Sequence, residues 1–231
     1  MNKKVLLFVI WILFLIVGPL FVILNIDFSL FSHKSFLANT LQRIFGLAAF
    51  GMLAFQITLG GNMDIWRKKL GSWVLAFHRA NGLFVYSLVF IHPALWVVFN
   101  YFLKGNINPY YPFVDICLLC KGFNEYYINL GRLGFWSITL AVGAARLVTI
   151  LGDKWLRSNW RNIHLLNYLA FYFVSVHALA VGSDSRSSLF LVLFVISHML
   201  VLWTIVRRLN RSGLKLKLLK FLNQSNKEQA I

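Results

Sequence analysis

Six apolar runs of spanning length, at about residues 5–25, 37–60, 73–103, 132–151, 162–182 and 187–206, dominate the chain. Each is near the roughly 20 residues that carry an α-helix across a bilayer. The third is longer and is expected to tilt or to project beyond the lipid. Of the 231 residues, 59% are hydrophobic and only 7 are acidic, and the mean hydropathy is +0.69. That is more apolar side chain than one soluble core needs. The expected fold is an all-α membrane protein: a six-transmembrane-helix bundle over residues 1–206, followed by a basic tail over 207–231. Aromatic residues at 16% suit lipid-facing surfaces, interfacial belts and the walls of a flat aromatic cofactor site.

The opening MNKK and its apolar run resemble a signal peptide, but the run is about 20 residues long and lacks a small-residue cleavage site. An uncleaved first span is expected. The net charge of +16 would suggest nucleic acid for a soluble protein. Here the basic residues lie between and after the apolar runs, where they act as topology signals, and no nucleic-acid partner is expected. Lys3, Lys4, Arg67, Lys68, Lys69, Lys154, Arg157, Arg161, Arg207, Arg208 and Arg211 fall at one set of helix ends. Only Lys34, Lys104, Lys121 and Arg186 fall at the other. The richer side is predicted to be cytoplasmic, with both termini there. The expected location is the plasma membrane of a bacterial cell, as a multi-pass protein in contact with lipid.

The connection over about 104–131, on the outer face, is the one sizeable loop and could cap that end. It carries Cys117 and Cys120, the only cysteines, in CxxC spacing. They suit a disulfide or an exchanging thiol pair outside the cell, or are incidental. Two cysteines cannot build an iron–sulfur cluster or a Cys-rich zinc site. In the tail, the alternating Leu and Lys from Leu214 to Leu222 would suit a basic amphipathic segment on the anionic inner leaflet, or a frayed end.

Cofactor chemistry therefore falls to histidine. His78 and His92 share the third span, and His164 and His177 share the fifth. Ionisable groups at membrane depth are uncommon and usually face the bundle interior with a functional or polar partner. One such histidine could be a hydrogen-bonded core residue; four in matched positions argue otherwise. Spacings of 14 and 13 residues correspond to axial separations of roughly 21 and 20 Å. With both spans running outward, His78 and His164 lie near the inner side and His92 and His177 near the outer. An imidazole from each of two facing helices is the ligand set of a six-coordinate haem. Two such pairs, one above the other, would hold two stacked b-type haems. Helical phase puts His78 and His92 within about 40° of one face, but leaves His164 and His177 about 140° apart in an ideal helix. Either the two sites use different sides of the fifth helix or that helix is locally irregular.

The stretch His78-Arg79-Ala80-Asn81-Gly82 with His92-Pro93, and Trp160-Arg161-Asn162-Ile163-His164 with Tyr168 and His177-Ala178, resembles the ferric reductase-like transmembrane domain. That superfamily includes ferric-chelate reductases, NADPH oxidases and the haem-binding membrane subunit of the bacterial methionine sulfoxide reductase system. The likeness covers a core of about 37–206, and it implies that His78 pairs with His164 on an inner haem and His92 with His177 on an outer one. It also implies transmembrane electron transfer from a cytoplasmic or quinol donor to an external acceptor, as the oxidoreductase component of a reductase. Acceptors in order of expectation are ferric iron or its chelates, a redox protein outside the membrane, and dioxygen. Full-length oxidases and eukaryotic ferric reductases of that superfamily carry a fused flavin and nicotinamide module after the last span, and no such module is expected in the residues that follow the sixth span here. A separate cytoplasmic flavoreductase, a flavin supplied through a partner, or the quinol pool is the expected donor. The alternatives are a haem-binding subunit feeding an external repair reductase, a non-catalytic haem-binding or transport module, and a helical transporter whose histidines carry protons.

Arg43 lies inside the second span near its outer end, where an unpaired guanidinium would be costly; the resemblance offers an outer haem propionate as its partner, and snorkelling to the interface is the alternative. Arg79 and Arg161, at the inner ends of spans three and five, suit inner propionates, although positive-inside topology alone would put them there. Arg146 is open to the same two readings. Phe171 and Tyr172 fall midway between His164 and His177, where packing is the favoured role. His198 is expected to make a structural hydrogen bond, and His33 to sit in an outer loop.

Overall fold

A computed structural model of the protein describes residues 2–105, 107–117, 120, 122–185 and 187–211. Among these the chain is helical throughout, with no strand: α1 (Lys3–Leu24), a 3-10 turn (Phe28–Ser32), α2 (Lys34–Gly61), α3 (Met63–Leu70), α4 (Trp73–Lys104), α5 (Tyr111–Val114), α6 (Phe123–Leu151), α7 (Lys154–His164), α8 (Leu166–Val181) and α9 (Ser188–Arg211). Six segments are long and apolar enough to cross a membrane: α1, α2, α4, α6, the α7–α8 pair and α9. Lys121, Arg186 and the Leu214–Leu222 segment lie outside the described residues.

The helix ends are set by local chemistry. Asn2 caps α1 by accepting from the Lys4 amide at 3.0 Å, and Asp153 caps α7 by accepting from the Leu156 amide at 2.7 Å. Gly152 closes α6 at φ +63°, a left-handed conformation that costs glycine nothing. Three boundaries differ from expectation by more than three residues, one of them the start of the fifth span, which lies at Lys154 rather than 162 because α7 leads into α8. The fourth span starts at Phe123 rather than 132, so the outer connection shrinks to residues 105–122 and contains α5. Polar Asn124, Glu125 and Asn129 lower the local hydropathy, but Glu125 is paired within the helix with Arg132 and Asn129 donates to the Cys117 carbonyl, so the helix continues. The last span runs to Arg211 rather than 206, taking in the first five residues of the expected tail.

The central helix is α2. Within its apolar window 56% of residues are buried, against 11–28% for the other five spans. It packs against α1, α4, α8 and α9, while α6 pairs with α8 and also meets α4. Small residues let the helices close: a Cβ at Gly18 would sit 2.9 Å from that of Leu47. Outward faces are apolar, with Ile12, Leu13 and Ile16 on α1 and Val192, Val195 and Met199 on α9 all exposed. In water such surfaces would be a liability, and in lipid they are the solvated face.

The two ends of the bundle are unlike. At one, Lys4 lies over the Trp73 ring and Arg207 and Arg211 reach Asp64 of α3. At the other, Asp184 meets Arg43, and α5 packs on α4 and α6. The cysteines at this second end are joined as a disulfide, Cys117–Cys120.

Candidate functional site

The second end, expected to face outward, contains a cavity of about 430 Å3, within the range usual for ligand sites. His92 from α4 and His177 from α8 face each other across it, with ring centres 6.4 Å apart and planes at 78°. Nδ1 of His92 lies 2.9 Å from the Gln42 carbonyl oxygen, and Nδ1 of His177 lies 2.9 Å from that of Tyr127. A carbonyl can only accept, so each Nδ1 carries the hydrogen and each Nε2 keeps its lone pair. Fixing the ring through Nδ1 to a backbone oxygen is the usual support for a ligating imidazole.

The neighbouring helices are hollowed where these rings stand. One turn beyond Gln42, a Cβ at Gly46 would lie 2.7 Å from His92 Nδ1; one turn beyond Tyr127, a Cβ at Gly131 would lie 2.9 Å from His177 Nδ1. Contacts that close leave no room for a methyl group. The pattern repeats at the other end of the bundle, where a Cβ at Gly60 would lie 2.7 Å from His78 Cε1. Gly46 and Gly60 are 14 residues apart, as are His78 and His92, because α2 and α4 run antiparallel in contact.

His78 and His164 form the second group. His164 lies within electrostatic reach of His78, and its Nδ1 donates to the Ala141 carbonyl at 3.1 Å. Nδ1 of His78 is buried with no hydrogen-bond partner among the described residues. The turn that carries His78 is held by a polar chain across three helices. Trp11 donates to Asn81 at 2.7 Å, Asn81 to Gln56 at 2.7 Å, and Gln56 to the His78 carbonyl at 2.8 Å. Gly82 gives Gln56 its approach, since a Cβ there would meet the amide nitrogen at 2.9 Å. Breaking such a chain strands buried donors at about 1–3 kcal/mol each.

The phase conflict in the fifth span has a local origin. The helix is interrupted at Leu165, directly after His164, so the two histidines belong to α7 and α8 and ideal-helix arithmetic does not run between them. Phe171 is fully buried and stacks on Phe50, a cavity-lining residue, at 5.6 Å. His198 donates from Nδ1 to the Phe194 carbonyl at 2.8 Å, a structural bond as expected. His33 is exposed at the N-cap of α2.

The arginines divide. Arg43 lines the outer cavity and is clasped by Asp184, which accepts from Nε at 2.8 Å and also from Nη2. Arg79, Arg146 and Arg161 are exposed, and Arg161 lies over the Trp160 ring, itself 6.1 Å from that of His164. Arg132, at the start of the expected fourth run, was given no role by sequence. It is 2% exposed, lines the cavity and donates to Glu125 at 2.7 Å. Asp184, Glu125 and Tyr111 likewise escaped notice, since connections and run edges carry no periodic signal.

Among the described residues, no cluster of three or more His, Cys, Asp and Glu stands ready for a bare metal ion. The donor set of the outer cavity is two imidazoles. Two metal–nitrogen bonds of about 2.0–2.1 Å end to end, plus the inner half of each ring, add to roughly 6.3 Å. The 6.4 Å between ring centres is thus the separation that two imidazoles on one metal would need, and a planar macrocycle would have to supply the remaining ligands. Compared with protein-family models, with curated proteins and with solved structures, the chain matches none.

Proposed function

We propose that the protein is the haem-binding membrane component of an electron-transfer system, with His92 and His177 ligating one haem b and His78 and His164 a second. The observation that carries this reading is the outer pair: opposed imidazoles 6.4 Å apart, each anchored through Nδ1 to a backbone carbonyl and backed by a glycine. Bound there, haem supplies one-electron chemistry at a potential tuned by ligands, hydrogen bonds and burial. The chain's own part is to fix the imidazole tautomers, orient both rings, and exclude water with the apolar walls of α2, α4 and α8. Arg79 and Arg161, exposed and next to His78 and three residues before His164 in the chain, are the candidates for propionate partners at the inner end. Arg43 would serve an outer propionate only by sharing or releasing Asp184. In this reading a cytoplasmic flavoreductase, a partner-borne flavin or the quinol pool is the donor. A ferric chelate, an external redox protein or dioxygen is the acceptor.

Haem stoichiometry tests the reading. Purified protein should contain two haems per chain, with low-spin bands that sharpen on reduction. His78→Leu or His164→Leu should remove one haem, and His92→Leu or His177→Leu the other. If haem content is unchanged in all four variants, the assignment is wrong. One weak, exchangeable haem that no donor reduces would favour haem delivery instead, and no haem at all would favour a proton-coupled transporter.

A further inference from the structure

The outer cavity holds a polar group that the four-histidine reading leaves unused. Arg132 enters it from α6 with its Cζ 4.5 Å from the centre of the Tyr111 ring, which in turn stacks on Trp96 at 5.2 Å. Glu125 accepts from Arg132 Nη1 through one oxygen and from the Tyr111 hydroxyl through the other, both at 2.7 Å, so its carboxylate is divided between two donors. Nε and Nη2 of Arg132 are buried with no hydrogen-bond partner among the described residues. These two nitrogens form the parallel N–H edge of the guanidinium, the edge that takes both oxygens of a carboxylate side by side. Arg43, on the same cavity, has that same edge filled: its Nε and Nη2 both bond Asp184. One guanidinium has its carboxylate supplied by the chain; the other has the identical edge turned to no acceptor among the described residues.

We propose that Arg132, through Nε and Nη2, anchors a carboxylate in the outer cavity. A carboxylate matches the planar fork in shape and charge, and would relieve two buried charged donors that nothing among the described residues satisfies. Two molecules could bring it: the haem, through a propionate, which rests on the function proposed above, or an external acceptor bearing carboxylates, such as a ferric hydroxycarboxylate.

Two titrations of the full-length protein separate these sources, each run on wild type and on Arg132→Lys. That variant keeps the positive charge beside Glu125 and loses the paired edge; Arg132→Gln is added if its melting behaviour matches wild type. In the first, apoprotein also carrying His78→Leu takes up haem b or haem b dimethyl ester at the outer pair. A tenfold or greater preference for the free acid in this otherwise wild-type chain, falling to threefold or less in the Arg132 variant, supports the proposal with haem as the source. In the second, calorimetry compares citrate with its trimethyl ester. Citrate binding that is lost at least tenfold in the variant, while the ester binds neither protein, supports it with an external source. If the variant behaves as wild type in both titrations, or wild type discriminates in neither, the proposal is overturned. A chain that holds two haems but shows neither preference sinks the Arg132 assignment alone, and one that takes up no haem but binds citrate through Arg132 sinks the haem reading alone.

Discussion

A single methyl group decides whether imidazoles can stand where His92, His177 and His78 stand. Each ring leans on a neighbouring helix at a glycine, and the missing Cβ would lie 2.7–2.9 Å from a ring atom. Alanine in a helix interior is favoured over glycine by about 0.5–1 kcal/mol, so Gly46→Ala should not weaken α2 itself. It should instead push His92 off the Gln42 carbonyl and lower haem affinity at the outer pair by about 10–100-fold, the usual effect of disturbing a ligand's support. Gly60→Ala should do the same at the inner pair only. Haem per chain, read from spectra of the two variants in His92→Leu and His78→Leu backgrounds, checks which site each glycine serves; equal losses at both sites would refute the pairing. Why the histidines were legible in sequence and the glycines were not follows from their chemistry. An ionisable group at membrane depth stands out against leucine and phenylalanine, whereas glycine is common in membrane helices and acquires meaning only when its neighbour is known. Arg132 was hidden differently: its partners Glu125 and Tyr111 sit in a turn of helix and a connection that an apolar scan assigns to the loop.

Helices at the inner-expected end are tied by charge as well as by packing. Asp64 of α3 accepts from Arg207 of α9 at 3.0 Å and is also paired with Arg211, while Arg207 donates to Asn62 at the end of α2. The Arg211 hydrogen bond, aided by the charges of Arg207 and Arg211, holds the Asp64 carboxyl well below its ordinary value of 3.8. A depressed carboxylate contributes stability that is complete above the unfolded value and is lost as pH falls through the folded one. The difference in melting temperature between wild type and Asp64→Asn in detergent should therefore be flat from pH 5 to 8 and shrink only below about pH 4. Because the carboxylate is solvent-exposed, the difference should also diminish as salt is raised. A difference that changes steadily between pH 5 and 8 would mean another group governs the clasp. The six spans were plain from apolar run length alone, but their ends and the short helices α3, α5 and α7 were not. Glu125 and Asn129 read as loop residues until their partners are seen, and the break after His164 has no proline or glycine to announce it.

At the scale of the molecule, the two histidine groups lie near opposite ends of one bundle, about 20 Å apart along helices that rise 1.5 Å per residue. Six spans require both termini on one side, and the excess of lysine and arginine at that set of ends predicts the cytoplasm. A reporter active only outside the cytoplasm should be silent when fused after residue 231 and active when inserted in the 107–114 stretch. The depth of the two groups then makes a stronger demand than topology does. If electrons pass from one group to the other, each is necessary and neither is sufficient. Proteoliposomes loaded with a membrane-impermeant reductant should reduce an external ferric chelate only with both pairs intact. His78→Leu, which leaves the outer pair untouched, should abolish transfer through chains whose inner end faces the reductant, yet its outer haem should still be oxidised by the chelate after direct chemical reduction. His92→Leu should give the reverse: an inner haem reduced from within that the external chelate cannot oxidise. A His78→Leu chain that still carried electrons from lumen to chelate at the wild-type rate would show that the two groups are not in series, whatever haem each one holds.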